Sequence, residues 1–340
     1  MKIFKNLLGR FSQLKKINNH DKPTEKEQAL RHSVGGSIGF YNLEEWWETT
    51  FTAEEQNYLI SAYKPFGMKD TELVSGNILS STMTKAGFLR SFASFVSSDQ
   101  DNSFNQEIAN HILLKAEETA LLENDYLNLH FSYQEEIKSN YKHRGQVEGA
   151  LDKAIHACEK QIKISFEVAI AFANTVSLGR TVRESHFFNI NIDFEKELEK
   201  QCISESLKSE FEQKGVFLSD ASVAFPVEDS KQTQNALYAE YPSDIQKTKS
   251  EWIIADSKNK LIYLLVNKGS KISVCTLSFP IHTGYRQLAI ILEKQGNFLD
   301  AIGLSKEAKL EGWGDREAYD PGIWQNRIDR LKKKLASQKD

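Results

Sequence analysis

The sequence has few of the features that mark a secreted, membrane-spanning or disulfide-bonded protein. Its three cysteines, Cys158, Cys202 and Cys275, are odd in number and far apart, which is unlike a disulfide framework and favours a reducing compartment. No apolar run approaches the roughly 18 residues that a membrane-spanning helix needs. The N-terminus also lacks the apolar core and small-residue cleavage site of a signal peptide. We therefore expect a cytoplasmic protein.

The motifs of common catalytic sites are also missing. The eight histidines are scattered, and none has a metal-ligand spacing with a cysteine or another histidine. His156 and Cys158 come closest, but two residues on a helix point about 200° apart. There is no phosphate-binding loop, nucleophile elbow or dinucleotide fingerprint, and the glycine-rich run 35–39 has neither a strand before it nor a lysine after it. We expect no cofactor, no metal and no catalytic activity.

The length and net charge of the chain exclude few classes of protein or partner by themselves. With 340 residues the chain is long enough for two or three domains, and 40% of them are apolar, as in an ordinary globular protein. The net charge of −4 is small, so it does not predict a nucleic-acid partner. The oligomeric state cannot be read from these properties.

The first 17 residues, MKIFKNLLGRFSQLKKI, have the pattern of a basic amphipathic helix without any acidic residue. Such a helix can lie on an anionic membrane surface. It can equally dock its apolar stripe on the protein's own helices, which is the interpretation we favour. The polar segment 18–39, with Pro23 and Gly35-Gly36, reads as a linker.

The most informative stretch is 285–308, YRQLAIILEKQGNFLDAIGLSKEA. It carries two apolar stripes at helical spacing, separated by Gly296-Asn297, which predicts two antiparallel helices joined by a tight turn. Ala289, Ala301 and Ala308 are small where the two helices would cross. This stretch resembles a tetratricopeptide (TPR) repeat, whose bulky, small and turn-glycine residues recur at these spacings. The resemblance implies a surface that binds a protein or a peptide.

A weaker copy lies upstream, with Ile137 and Tyr141 in the first helix, Gly145 at the turn, and Ala150, Leu151 and Ala157 in the second helix. Lys138 replaces the small residue of the first helix. The separation of Gly145 and Gly296 is not a multiple of the roughly 34-residue repeat period, so the repeats cannot form an uninterrupted row. About three hairpins are needed for a stable stack, and other helical pairs must supply the rest.

The chain between the two hairpins contains a segment with the periodicity of β-strands instead of helices. Three strand-like runs, EWIIADS, KLIYLLVN and KISVCTLSF, follow one another from Glu251 and predict an antiparallel meander. We therefore predict a mainly α-helical protein of TPR-like helical hairpins with a small α+β insertion. The predicted segments are an amphipathic helix and linker at 1–39, a first helical part at 40–178, the insertion at 179–279 and a second helical part at 280–340.

In stacked hairpin repeats the first helices line the concave face. That geometry makes the exposed face of the helix that starts near residue 282 the expected partner-binding surface. The residues expected to contact a protein or peptide partner are His282, Tyr285, Arg286, Gln287 and Lys294.

Two other functions stay open. The apolar run Trp252–Ala255 followed by Asp256 and Lys258 resembles the strand end of a metal-dependent nuclease superfamily, where Asp220 or Asp229 would be the second acid. A hairpin turn explains the same residues. A peptide-sensing transcription regulator would need a helix-turn-helix, and the N-terminal region shows no basic recognition helix after a short glycine-containing turn.

Overall fold

The structure is a computed structural model that describes residues 34–63, 72–98, 103–175, 182–189, 193–227, 251–267, 271–314 and 322–337. The chain divides into two compact units, Met1–Thr82 and Met83–Asp340. This division falls inside the predicted 40–178 segment, whose boundaries stay a prediction. The basic amphipathic helix predicted at residues 1–17 lies outside the described residues.

The described part of the first unit contains three short helices, α1 (Gly36–Phe40), α2 (Glu44–Thr50) and α3 (Ala53–Ala62). The linker interpretation is wrong for α1, where Ser37 and Ile38 are buried. Gly36 has a left-handed backbone (φ 60°), and a Cβ there would lie 2.4 Å from the carbonyl oxygen of Glu72. Only glycine allows this close approach of the two backbone segments.

Thr52 caps α3 as the sequence predicts. Its hydroxyl accepts from the backbone N–H of Glu55, and the Glu55 carboxylate accepts from the backbone N–H of Thr52, which completes a capping box. The sequence has the same spacing at Asn42 and Glu45, which also predicts a capping box, but that prediction is wrong, because Asn42 precedes the N-cap Leu43 and takes a left-handed conformation (φ 52°).

The second unit contains ten helices and seven strands among the described residues. The helices are α4 (Lys85–Ser98), α5 (Ser103–Glu123), α6 (Tyr126–Lys142), α7 (Ala150–Lys163), α8 (Ser165–Thr175), α9 (Phe194–Leu198), α10 (Glu205–Glu212), α11 (Thr283–Lys294), α12 (Phe298–Glu311) and α13 (Gly322–Ser337). The strands are β1 (Val182–Asn189), β2 (Ser222–Pro226), β3 (Glu251–Asp256), β4 (Leu261–Asn267), β5 (Lys271–Leu277), β6 (Phe279–Ile281) and β7 (Trp313–Gly314).

The predicted β-meander is confirmed by β3, β4 and β5, which pair antiparallel in sequence order. Two further strands extend it, β2 beside β3 and β1 beside β5, so that the five-stranded sheet has the order β1-β5-β4-β3-β2. The continuous apolar runs of β3 and β4 indicate a sheet that is covered on both faces.

Each face of the sheet belongs to a different hydrophobic cluster. Ile254, Leu265 and Val274 pack against residues of α9 and α10 and the turns that follow them. On the opposite face, Ile253 and Leu264 join α8, α11, α12 and α13 in one cluster. The sheet therefore shares its core with the helices before and after it, although the insertion boundaries themselves stay a prediction.

An ion pair also ties the sheet to the helices. Lys260, in the turn between β3 and β4, pairs with Glu307 at 2.9 Å and with Glu311 at 3.0 Å, both on α12. The carboxylate of Glu311 is buried and also accepts from the Ser165 hydroxyl and the Trp313 indole N–H. These contacts satisfy a charge that would be costly to bury alone.

The helical hairpin predicted for residues 285–308 is confirmed as α11 and α12. Gly296 turns the chain with a left-handed backbone (φ 80°), and Ala289, Ala301 and Ala308 have no exposed surface. The upstream hairpin, α6 and α7, turns differently. Its left-handed residue is Gly149 (φ 72°) at the N-cap of α7, and not Gly145.

The helices pack in succession. Each of α4, α5, α6 and α7 contacts the next, α7 contacts α11 beyond the inserted sheet, and α11, α12 and α13 continue the order. The apolar residues Ile162 and Phe166 predict that the helix of Ala150 runs on to about Asn174, but this prediction is wrong, because the helix ends at Ile164 and the following helix, α8, packs against the sheet.

The predicted fold class is confirmed, a mainly α-helical protein with an antiparallel meander between its helical parts. Among the described residues, no helix combines the length and the apolar character needed to cross a membrane.

Candidate partner-binding site

The structure places two of the five predicted contact residues in the core. His282 is the N-cap of α11, and its Nδ1 accepts from the backbone N–H of Tyr285. Both side chains have 0% exposure, so they anchor α11 and offer no surface to a partner. The position of Tyr285 on the apolar stripe of the predicted helix is consistent with its burial, whereas no local pattern indicated the burial of His282, which packs against Trp313 of β7.

His282 belongs to a buried aromatic cluster. Its ring lies 4.9 Å from that of His130 and 4.8 Å from that of Trp313, while His130 stacks on Trp313 at 5.9 Å. Burial lowers the pKa of His130 to about 4 and lowers the pKa of His282 well below its usual value, in the second case with a further contribution from the neighbouring His130. Both rings are therefore neutral at pH 7.

A buried glutamine sets the position of α11 on α7. The side-chain amide of Gln161 donates to the backbone carbonyl of His130, and its oxygen accepts from the backbone N–H of Gly284. A Cβ on Gly284 would lie 2.9 Å from the carbonyl oxygen of Cys158 and 2.9 Å from the Gln161 side chain. The glycine therefore allows the closest approach of the two helices.

The other predicted residues reach the surface. Arg286 and Gln287 are half-buried, and Lys294 is exposed at the end of α11. The Lys294 ammonium donates to the Tyr141 hydroxyl at 3.0 Å and lies 5.6 Å from the centre of its ring. This contact joins the last turn of α6 to the last turn of α11.

Tyr141 has a second cation beside it. The guanidinium of Arg144 lies 4.1 Å from the centre of the Tyr141 ring, a typical cation–π geometry. Partial burial by itself raises the pKa of Tyr141, but the hydrogen bond and charge of Lys294, the charge of Arg144 and a hydrogen bond with Gln287 outweigh it and lower the pKa. We name Tyr141, Arg144, Gln287 and Lys294 the Tyr141 site.

The cations of the Tyr141 site are not neutralised within the described chain. Across the described residues, neither Lys294 nor Arg144 forms an ion pair with a carboxylate, and their contacts are those with Tyr141. An aromatic ring held between two such cations presents both an apolar surface and positive charge.

A groove adjoins this site between α11 and α13. It encloses about 480 Å³ and is lined by Ile290, Glu293, Lys294, Arg330 and Lys334, which we name the α11 groove. Glu293 accepts from Arg330 and from Lys334, each at 2.7 Å. Burial by itself raises the pKa of Glu293, but these two cations hold it below its usual value. Lys294 belongs to both the groove and the Tyr141 site, so together they carry four cations and one carboxylate.

Asp256, the centre of the nuclease alternative, closes the turn between β3 and β4. Its buried carboxylate accepts from the hydroxyl and backbone N–H of Ser219 and from the side chain and backbone N–H of Asn259. Burial by itself raises the pKa of Asp256, but these hydrogen bonds outweigh it and lower the pKa.

The other residues of that alternative are dispersed. Lys258 is exposed, Asp220 is exposed and pairs with Lys208 at 3.3 Å, and Asp229 lies outside the described residues. No group of three or more His, Cys, Asp or Glu side chains in the described part of the chain is arranged to hold a metal ion.

Comparison with protein-family models, with curated proteins and with solved structures finds no match to this chain.

Sequence reasoning missed the residues that complete the site, namely Arg144, Arg330 and Lys334. The lysine run at the end of α13 is visible in the sequence, but lysines in a last turn are also explained by the helix dipole. Arg144 follows a helix whose partner, α11, begins more than a hundred residues later. No local pattern connects the two.

Proposed function

We propose that this chain is a helical-repeat protein that binds an acidic segment of a protein or peptide partner through the Tyr141 site and the α11 groove. The observation that supports it best is the pair Arg144 and Lys294, which flank one tyrosine without a carboxylate among the described residues. An acidic side chain of a partner would satisfy both cations and leave the Tyr141 ring as an apolar contact.

The succession of helices is consistent with this proposal. Because α6 also contacts α11, the helices that begin the two hairpins are neighbours, and a ligand can contact both at once. The resemblance of residues 285–308 to a TPR repeat points to the same class of function, since repeat stacks create extended binding surfaces. A partner segment that lies across α6, α11 and α13 would contact cations from all three helices.

A panel of fluorescent peptides tests the proposal. Acidic, neutral and basic peptides of equal length are titrated with the full chain and followed by anisotropy. The acidic members should bind, and added salt should weaken them because exposed charges are screened. Reversing charge with Lys294→Glu or Arg144→Glu should weaken binding by about tenfold or more.

The control variant is Lys153→Glu, which makes the same change at an exposed lysine of α7. It should bind the acidic peptides as well as the unmodified chain does. The proposal fails if no acidic peptide binds, or if Lys153→Glu weakens binding as much as Lys294→Glu does.

A further inference from the structure

A second groove lies on the other side of α13, between α12 and α13, and shares no residue with the α11 groove. It encloses about 450 Å³. Its apolar lining comes from Leu261, Leu310 and Ile328, and its polar rim consists of Lys306, Lys309, Gln325 and Lys332. We name this set of seven residues the α12 groove.

Leu310 supplies most of the exposed apolar surface of this groove. Leu310 is 61% exposed although it lies beside the buried Ile328, and Leu261 is half-buried. An exposed leucine next to a concave surface gains free energy when a partner covers it. A single exposed apolar residue is common on protein surfaces, but a ligand that occupies the groove can cover one that lies at its edge.

The charges of the rim have one sign. Lys306 and Lys332 form no ion pair with any carboxylate among the described residues, and Lys309 donates to the side chain of Gln325 at 2.9 Å. Of the nearby carboxylates, Glu307 pairs with Lys260, and Asp329 accepts from the neutral side-chain amide of Gln325. Neither pairs with Lys306 or Lys332, so a negatively charged partner would complement these two lysines.

The spacing of the lining residues specifies the form of that partner. Lys306 and Leu310 are four residues apart on α12, and Ile328 and Lys332 are four apart on α13, so on each helix an apolar residue and a lysine lie one turn apart along the groove, with Leu310 exposed and Ile328 buried. A groove between two helices with an apolar centre and charged sides fits an amphipathic helix laid along it. The ligand then has an apolar stripe flanked by Asp or Glu.

We infer that the α12 groove is a second protein-interaction surface, which binds an acidic amphipathic helix of a partner protein. Leucine-like side chains of the ligand enter beside Leu310 and Ile328, and its flanking carboxylates pair with Lys306 and Lys332. The surface is separate from the Tyr141 site, so the chain could hold two segments of one partner or two partners.

The probe is a labelled peptide of about 18 residues, five helical turns, with leucines at i, i+3, i+4 and i+7 and glutamates on both sides of them. A peptide of the same composition with the leucines scattered around the helix is the matched control. Anisotropy titration with the full chain should show binding of the amphipathic peptide and weaker binding of the scrambled one.

Two pairs of variants separate the groove from the general surface. Lys306→Glu with Lys332→Glu should weaken binding by about tenfold or more, whereas Lys333→Glu, on the same helix but outside the groove, should leave it within about twofold. Leu310→Ser should weaken binding, whereas Leu299→Ser, at another exposed leucine of α12, should not. These titrations are made in the Lys294→Glu background, which weakens acidic-peptide binding at the Tyr141 site, so that the remaining binding reports on the α12 groove.

Several results would overturn the inference. Equal binding of the amphipathic and the scrambled peptide would show that the groove recognises only the negative charge of the ligand. Binding to phosphatidylcholine vesicles that contain phosphatidylserine, without binding of the peptide, would assign the lysines to a membrane surface. A dimer in sedimentation that Leu310→Ser abolishes would make a second copy of the chain the occupant.

Discussion

At the scale of single residues, burial decides the charge of the two histidines beside Trp313. The rings of His130 and His282 are neutral in the folded chain because the aromatic cluster excludes water from them. Neither nitrogen of His130 has a hydrogen-bond partner in the part of the chain that the structure describes. Protonation of either ring in the folded state would place an unpaired charge in the core.

This arrangement predicts how stability changes with pH. A histidine in the unfolded chain has a pKa of about 6.5, whereas His130 in the folded chain has a pKa of about 4. Between these values the unfolded state binds a proton that the folded state does not, so the free energy of unfolding falls as the pH drops below about 6.5.

Replacing His130 by Phe should keep the aromatic stacking and remove this contribution. The loss of unfolding free energy between pH 7 and pH 5 should become smaller by about 1–2 kcal/mol, as measured by urea denaturation at both pH values. The same substitution at the exposed His156 should leave the difference unchanged. An unaltered pH dependence in His130→Phe would show that this ring is not buried and neutral.

A single carboxylate, that of Asp256, holds the turn between β3 and β4 through its hydrogen bonds to Ser219 and Asn259. Asp256→Ala removes four hydrogen bonds and should lower the free energy of unfolding by about 1–3 kcal/mol, since Ser219 and Asn259 lose a charged acceptor. The pKa of Asp256 is lowered in the folded state, so its contribution is present at neutral pH and is lost as the pH falls through the acidic range.

Binding of acidic peptides by Asp256→Ala should equal that of the unmodified chain, as anisotropy would measure. Magnesium-dependent cleavage of DNA or RNA by the purified chain, abolished in Asp256→Ala, would instead support the nuclease alternative.

At the scale of elements, small residues determine how closely helices pack. Ala301 has no exposed surface and lies in a cluster with Ile328 and Leu331 of α13. The sequence predicts a crossing of α11 and α12 at this residue, and the structure adds α13 as the neighbour that fills the space. A larger side chain has no room on either side.

Ala301→Leu should therefore overpack the contact and cost about 1–3 kcal/mol of stability. Gly303→Ala, two residues along the same helix, is the matched control, because a Cβ there meets nothing within 4 Å. It should stabilise the helix by about 0.5–1 kcal/mol. In thermal unfolding, Ala301→Leu should have a lower melting temperature than the unmodified chain, and Gly303→Ala a higher one. Equal melting temperatures of the two variants would argue against the close helix contact.

At the scale of the whole molecule, the inserted sheet shares a hydrophobic core with the helices on either side of it. Val168 and Phe172 of α8 pack in the same cluster as Ile253 and Leu264 of the sheet. The helices are nevertheless contiguous without the sheet, because α7 contacts α11 directly.

Replacing residues 179–279 with a Gly/Ser linker should thus leave a largely helical chain that has lost the cover of α8. We expect a helical circular dichroism spectrum, a lower melting temperature and binding of a hydrophobic dye such as ANS. A random-coil spectrum would show that the helices need the sheet to fold. A helical spectrum without dye binding would contradict the shared core.

Features that depend on neighbours along the chain could be predicted from the sequence. The capping box at Thr52, the turn at Gly296 and the three strands of the meander follow from patterns a few residues long, because hydrogen bonds and periodicity at that range decide them. The fold class follows from the sum of such patterns.

The tertiary structure alone decided which residues meet across long separations. Packing against β7 buries His282, which no helical periodicity indicated, whereas Tyr285 lies on the apolar stripe of its helix and joins the core cluster of the sheet. Contact between α6 and α11 brings Arg144 to Lys294 around Tyr141, and the position of α13 creates the two grooves on its sides. A local pattern reports which face of a helix is apolar, but not which distant helix covers it, because that choice depends on the packing of the complete core.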